Sequence, residues 1–457
     1  MSDQLSALLV RGMELLAARD PILFDLLERE YRRQNETLTM VAASSLADPS
    51  VLACEAMPTT NVTTEGYPGA RYHAGCGVVD QIEDLAIQRA MRAFGARFAN
   101  VQPHSGSSAN EIVLGTVLKP GDTILGLDLN CGGHLTHGSK ASISGQWFNA
   151  VAYGLDANGY LSYDEVAELA ERHRPRLIIS GASAYPRTID FRRFREIADR
   201  VGAYLLADIS HIAGLVAGGV HPSPIDHAHF TTTSTYKQLF GPRGGLILMG
   251  RDFDQPAPSG KGTLSQAIQR AVFPFFQGTP NLSAIAAKAR ALDFVGTPEF
   301  AKLAERIVAM SAALGRCFHE RGYRVLTGGT DNHMVLIDVL QAGITGVIAE
   351  KALETCNIVV NKNRIPGDTQ PPLITSGMRL GTNTLAVRGM TTRDMPHCFD
   401  VIDQVVKAIK ARGLREYELP SEVADRVRSQ VREMCERHPI PDYLFAGSSS
   451  GLATPVA

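Results

Sequence analysis

Between about residue 46 and residue 300, the chain alternates short apolar runs of strand length with amphipathic stretches of helical period. The runs 122–129, 176–180, 203–207 and 246–249 are apolar at successive positions rather than at every second one. That is the pattern of strands covered on both faces. It predicts an α/β architecture with a mostly parallel central sheet in a large domain over 46–300. Ahead of it, patches such as Pro21-Ile-Leu-Phe-Asp-Leu-Leu-Glu28 carry apolar residues at helical spacing. Residues 1–45 are therefore expected to form a helical arm that packs on a partner. Beyond residue 300, helices are predicted over 299–321, 345–356 and 392–412, with short strands near 334–338 and 378–381. This gives a smaller C-terminal α+β domain over 301–445. The Gly-, Ser- and Ala-rich residues 446–457 read as a flexible tail.

At 457 residues the chain exceeds one ordinary core, in keeping with two domains. Lys and Arg number 45 against 47 Asp and Glu, a formal net charge of −2. That balance argues against nucleic acid or a membrane surface as the main partner and points to a small-molecule ligand. The seven cysteines are scattered, with no Cys-x-x-Cys spacing. Neither a disulfide framework nor a zinc knuckle is expected, and the cytoplasm fits. Asp3, Glu14, Arg19, Asp20 and Asp25 interrupt the N-terminal apolar patches, so these do not read as a membrane span or secretory signal.

Lys237 is the leading candidate for chemistry. It lies in Thr231-Thr-Thr-Ser-Thr-Tyr-Lys-Gln-Leu-Phe-Gly-Pro-Arg-Gly-Gly245, between a strand and the apolar run that follows. A strand-turn-strand element there would hold a desolvated amine against a carbonyl cofactor; the other reading is a solvated loop lysine. Asp208 follows Ala203-Tyr-Leu-Leu-Ala207, where a carboxylate can face a ring nitrogen and keep it protonated, as pyridoxal 5′-phosphate requires.

Gln102-Pro-His-Ser-Gly-Ser-Ser-Ala-Asn110 precedes a helical run, and Ser108 with Glu111 reads as a capping box that starts the helix there. Amides at such an N-terminus, with the hydroxyls of Ser105 and Ser107, suit a phosphate dianion. No Walker pattern competes, because Ser259-Gly-Lys-Gly262 lacks the earlier glycine and the hydroxyl after the lysine. In Leu129-Asn-Cys-Gly-Gly-His-Leu-Thr-His-Gly138, paired glycines let His134 approach an aromatic cofactor, a turn-capping histidine being the alternative. His134 and His137 have no carboxylate or cysteine at ligand spacing, so no metal is expected. Arg379, in Thr375-Ser-Gly-Met-Arg-Leu-Gly381, offers a planar fork for an amino-acid carboxylate, or is an ordinary surface arginine.

Five stretches combine these features: Glu65-Gly-Tyr-Pro-Gly-Ala-Arg-Tyr72, Val101-Gln-Pro-His-Ser-Gly-Ser107, Gly132-Gly-His-Leu-Thr-His-Gly138, Gly241-Pro-Arg-Gly-Gly245, and Asn361-Lys-Asn363 before Pro366. At this spacing the chain resembles the serine hydroxymethyltransferase family of fold-type I pyridoxal-phosphate enzymes, over about residues 20–410. The resemblance implies that Lys237 holds the cofactor's aldehyde, Asp208 partners the pyridine nitrogen and His134 stacks on the ring. It assigns the phosphate to Ser105, Gly106 and Ser107, the O3′ side to His211 and Ser183, and the substrate carboxylate to Arg379. Glu65 and Tyr72 would come from a neighbouring subunit, with Glu65 as acid/base beside the folate, and Gly278 would reach the phosphate across the dimer. Leu129, Leu135 and Asn363 match folate-pocket positions, and Arg243 a structural arginine near the lysine. Tetrahydrofolate as co-substrate, and a homodimer or paired dimers with shared sites, follow from the same resemblance.

Several positions depart from the family's pattern. Its Ser-Glu-Asn near the start of the fold is Ala43-Ser44-Ser45 here, the tyrosine two residues before Glu65 is Thr63, and the second residue of a Tyr-Tyr pair is His73. The histidine before the lysine is Tyr236, and a Gly-Gly pair is Gly278-Thr279. Ala43 and His73 thereby fall among the implied substrate contacts and Thr63 beside the cofactor. The implied reaction is reversible Cα–Cβ cleavage of a β-hydroxy-α-amino acid to glycine, the one-carbon unit of serine passing to tetrahydrofolate. The edited pocket leaves open a folate-independent L-threonine aldolase or transaldolase, an α-methylserine hydroxymethyltransferase, and a non-catalytic relative that acts as a binding partner.

Overall fold

The computed structural model describes residues 2–441, and the tail expected over 446–457 lies outside them. Two helices open the chain, α1 (Ser2–Arg19) and α2 (Pro21–Asn35). Asp20 caps α2 through Leu23 N, and Pro21 takes the first helical position, where its missing N–H is no loss. Leu8, Val10, Met13, Ile22, Leu26 and Tyr31 stay exposed on this pair. The arm is shorter than the expected 1–45. Helix stops at Asn35, and Leu38–Thr39 pair in parallel with Ile358–Val359, so the segment after α2 is stitched to the C-terminal part by ladder hydrogen bonds that a helix period cannot foreshadow.

Seven strands form the central sheet: β1 (Phe98–Asn100), β2 (Thr123–Leu127), β3 (Asn149–Tyr153), β4 (Leu177–Ser180), β5 (Tyr204–Asp208), β6 (Phe230–Ser234) and β7 (Gly245–Met249). Their spatial order is β1-β7-β6-β5-β4-β2-β3. Only β7 runs against its neighbours, pairing antiparallel with both β1 and β6. Successive apolar residues go to opposite sides. Leu125, Ile178, Leu205 and Leu246 join one core, while Ile124, Leu177, Leu206 and Ile247 join the other. Both faces are therefore covered, as the unbroken apolar runs require.

Helix α3 (Gly77–Phe94) packs against α5 (Leu282–Val295), and α4 (Gly106–Val117) crosses under β6 and β7. The second sheet is antiparallel, with strands β8 (Arg324–Val325), β9 (Met334–Asp338), β10 (Asn361–Asn363) and β11 (Gly377–Gly381) in the order β8-β9-β11-β10. It is covered by helices Pro298–Glu320, Gly346–Thr355 and Met395–Ala408, close to the three predicted, and a further helix, Ser421–Arg437, follows. Among the described residues, no helix is long and apolar enough to cross a membrane.

Candidate active site

The carboxyl ends of β2, β4, β5 and β6 meet the N-terminus of α4 around one cavity, the usual place for a ligand in an open α/β sheet. The helix starts three residues earlier than the expected cap at Ser108. Ser105 has an extended backbone (φ −158°, ψ 169°), and its Oγ accepts Ser108 N at 3.0 Å. Glu111 takes no part in the cap. Ser-Gly-Ser-Ser offers several capping hydroxyls, and the one fixed by the loop from β1 wins. The consequence is chemical: Gly106 and Ser107 occupy the first turn, where their amides have no helical carbonyl to bond.

Lys237 sits in the turn between β6 and β7, 7% exposed, its Nζ donating to Ser234 Oγ at 3.2 Å. It is not a solvated loop lysine. Burial, aided by the charges of Arg379 and Arg243 and opposed by Asp208, pulls its pKa down to about 8. Asp208, at the end of β5, is buried as well. Burial alone would raise its carboxyl, but His137 and the Ser210 amide outweigh that and hold it below the ordinary carboxylate range. Oδ2 accepts from Asn110 Nδ2 at 2.7 Å and faces His137 Nε2 at 3.1 Å, while Oδ1 accepts Ser210 N at 3.0 Å. His137 Nδ1 accepts His134 N at 3.3 Å, which assigns the proton to Nε2, the atom on Asp208.

His134 lines the same cavity, and its Nδ1 accepts Thr136 N at 3.2 Å. Burial lowers its pKa. His134, His137 and Asp208 bring donor atoms within 4.8 Å of one another, but the hydrogen bonds just described already use Nδ1 of His134, both nitrogens of His137 and both oxygens of Asp208. His211 is 6% exposed, stacks on His333 at 5.9 Å, and has a buried Nδ1 with no partner. Burial, with the Lys237 and Arg379 charges, keeps its imidazole well below the ordinary histidine range.

Arg379, on the second sheet, is bonded to the wall of the cavity at Ser183 rather than lining it. It is 9% exposed, its Nε donates to Asn361 Oδ1 at 3.0 Å, and Nη1 donates to the Ser183 carbonyl. No carboxylate among the described residues pairs with it, and burial lowers its pKa to about 10. A buried cation without a counter-charge is costly unless an anion arrives.

The remaining candidates lie elsewhere. Thr63, Glu65, Tyr72, His73 and Gly278 form an exposed patch of their own: His73 Nε2 is 3.4 Å from Glu65 Oε2, Tyr72 packs on Phe273 at 5.5 Å, and a Cβ on Gly278 would lie 3.6 Å from Glu65 Oε1. None of them lines the cavity of their own chain. The loop is tied at its base, since the Arg71 side chain, 3% exposed, binds Glu83 at 2.6 Å and Asp80 at 2.8 Å and donates to the Thr64 and Gly66 carbonyls. Ala43 lines a second cavity with Ser44 and Ser45, which shares Tyr236 with the first; the Tyr236 ring lies 3.7 Å from the Arg243 guanidinium. Leu129 and Leu135 are about half exposed, and Asn363 is half-buried beside Asn361 on β10. Sequence reasoning missed Asn110, Ser210, Ser234 and Asn361, and it weighed His137 only as a metal ligand. Of these, only His137 had a signal, its spacing from His134.

The family model described as serine hydroxymethyltransferase matches residues 16–402. A serine hydroxymethyltransferase of Chromohalobacter salexigens is 45% identical over 430 residues, covering 94% of this chain and 99% of the relative. One of Zymomonas mobilis subsp. mobilis is 47% identical over 426 residues, covering 93% and 96%.

Proposed function

This chain belongs to the serine hydroxymethyltransferase family, and from that premise we propose how its residues divide the work. The protein is a pyridoxal-phosphate-dependent transferase that moves the one-carbon unit of serine to tetrahydrofolate and leaves glycine. The observation that carries the reading is a buried amine and a buried carboxylate held as an anion on one cavity, with a buried arginine that no carboxylate among the described residues pairs bonded to its wall at Ser183. The site fits the cofactor: His211 Nδ1 is an orphaned polar atom there, and the first-turn amides of α4 suit a phosphate. When bound, the cofactor supplies the electron sink for breaking the Cα–Cβ bond.

The residues do the rest. Lys237, partly neutral near pH 8, presents its amine to the aldehyde carbon. Asp208, oriented by Asn110, His137 and Ser210, keeps a proton on the ring nitrogen. His134 covers the ring face, and Ser105, Gly106 and Ser107 take the phosphate. Arg379 would bind the substrate carboxylate and so fix how the substrate is oriented at Cα.

Thr63, Glu65, Tyr72, His73 and Gly278 serve the site of a second copy, with Glu65 handling the proton at the β-hydroxyl. Their place on an exposed patch outside the cavity of their own chain supports a homodimer with shared sites. The apolar faces of α1 and α2 support the same assembly. Leu129, Leu135 and Asn363 would border the folate. All seven cysteines are free, in keeping with a reducing, cytoplasmic compartment.

A second reading, transfer to another aldehyde or from another amino acid, is favoured by one observation. Ala43, Ser44, Ser45 and Tyr236, all departures from the family's pattern, line one cavity, and Tyr236 also lines the cavity that holds Lys237. Serine with tetrahydrofolate should be assayed against threonine and α-methylserine with a panel of aldehydes, following glycine, alanine and acetaldehyde. Glycine formed from serine only when tetrahydrofolate is present supports the main reading. Turnover confined to the other pairs overturns it.

A further inference from the structure

Lys288 is a buried lysine to which neither the motifs nor the proposed chemistry gives a role. It lies on α5, 2% exposed, and its Nζ donates to three backbone carbonyls: Val101 at 2.6 Å, Pro103 at 3.1 Å and Gly245 at 3.0 Å. Burial draws its pKa down to about 7, and in the protonated form the three N–H bonds of the ammonium meet three acceptors, which use all of them. The acceptors belong to two different segments. Val101 and Pro103 lie on the loop that ends at the Ser105 cap, whereas Gly245 begins β7 and closes the hairpin that carries Lys237. Gly245 N also donates to Pro103 O at 2.9 Å, and Thr235 N to Gly244 O at 3.0 Å.

The fit leaves no slack. A Cβ on Gly244 would stand 2.3 Å from Lys288 Cε, and one on Gly245 would stand 2.3 Å from Ser105 O. Those two glycines are therefore required by the lysine and the cap it braces, not by backbone dihedrals. We propose that Lys288 is a positioning residue that locks the anion-binding turn Ser105–Ser107 to the Lys237 hairpin, fixing the spacing of the two protein elements that would receive the cofactor's phosphate and aldehyde. This rests on the cofactor reading above.

The test compares apoprotein affinity for pyridoxal 5′-phosphate with that for pyridoxal, which has the aldehyde but no phosphate. Wild type should prefer the phosphorylated form strongly; equal affinities there would sink the cofactor-site reading itself rather than the role of Lys288. In Lys288→Met, similar in length and without donors, that preference should fall by about tenfold or more, because phosphate and aldehyde can no longer be met together. An unchanged preference, or equal losses for both ligands, overturns the proposal. If the methionine variant does not fold, Lys288→Gln, which keeps an amide donor, decides by the same criterion with a smaller fall. A measurement on wild type needs no variant: inorganic phosphate added to the apoprotein should slow hydrogen exchange in 101–108 and also in 235–245. Slowing confined to 101–108 would refute the lock.

Discussion

Arg379→Gln separates a binding role from a structural one. Burial draws the Arg379 pKa from 12.5 to about 10, equivalent to about 3 kcal/mol against the charged form. The sign follows from a depressed cation: below the folded pKa the side chain is charged in both states, and the folded state carries that cost. Glutamine removes it. The substitution also loses the bonds to Asn361 Oδ1 and the Ser183 carbonyl, worth about 1.5 kcal/mol each at the low end for a charged donor. The two contributions nearly cancel, so thermal unfolding of the apoprotein should move by only about a few degrees. Substrate binding has no such compensation. A carboxylate deprived of its buried charged partner loses about 3–5 kcal/mol, roughly a hundredfold to several thousandfold in affinity. Equilibrium titration of holoenzyme with glycine and with glycinamide reads this out, since glycinamide lacks the carboxylate. Glycine should weaken by that factor and glycinamide by much less. Equal weakening of the two, or a large fall in unfolding temperature with glycine binding retained, would refute the argument.

Other consequences are as direct. With Lys237 near pKa 8, roughly a quarter of the amine is neutral at pH 7.5, against roughly one part in a thousand for an ordinary lysine. The rate of cofactor attachment to the apoprotein should therefore climb with pH through about 8 and then level off; a climb continuing to pH 10 contradicts the burial argument. Glu65→Gln should depress folate-dependent turnover by roughly 10²–10⁴-fold and folate-free aldol cleavage far less, which parallel assays of the two reactions on one preparation would check. Mixing Lys237→Ala with Glu65→Gln protomers should restore activity absent from either alone, because each hybrid dimer would hold one site with both groups intact. No recovery after subunit exchange would place each site within a single chain.

How much of this was legible beforehand varies with the reach of the interaction. The four apolar runs became β2, β4, β5 and β7, because burial on both faces writes itself into consecutive residues. β1, three residues long, and β3, mostly exposed at its edge position, leave no such trace. Lys237 and Asp208 were marked by their place at strand ends. What Asp208 rests on was not: Asn110 and His137 approach from separate segments, 98 and 71 residues away. Lys288 is more remote still, acting on carbonyls that any residue type supplies. The Ser105 cap was off by one turn because four adjacent residues include three hydroxyls, and only the bracing of the preceding loop distinguishes them.

The departures from the family's pattern are not spread evenly over this frame. Thr63, His73 and Thr279 stand at or beside the exposed patch offered to a second copy, while Ala43, Ser44, Ser45 and Tyr236 line the cavity that shares Tyr236 with the Lys237 cavity. Lys237, Asp208, His134, His211 and Arg379, which surround the reacting Cα in the proposed site, keep the residue types the chemistry needs. In the proposed site, change has thus spared the lysine, the ring-nitrogen carboxylate and the carboxylate anchor while touching positions around the substrate and the edge of the cofactor. Such a division alters which side chain or acceptor fits before it alters whether the bond at Cα can break. The substrate panel is accordingly the measurement most sensitive to these positions, and Tyr236, the side chain shared by both cavities, is where a reversion to histidine should shift preference between serine and bulkier amino acids.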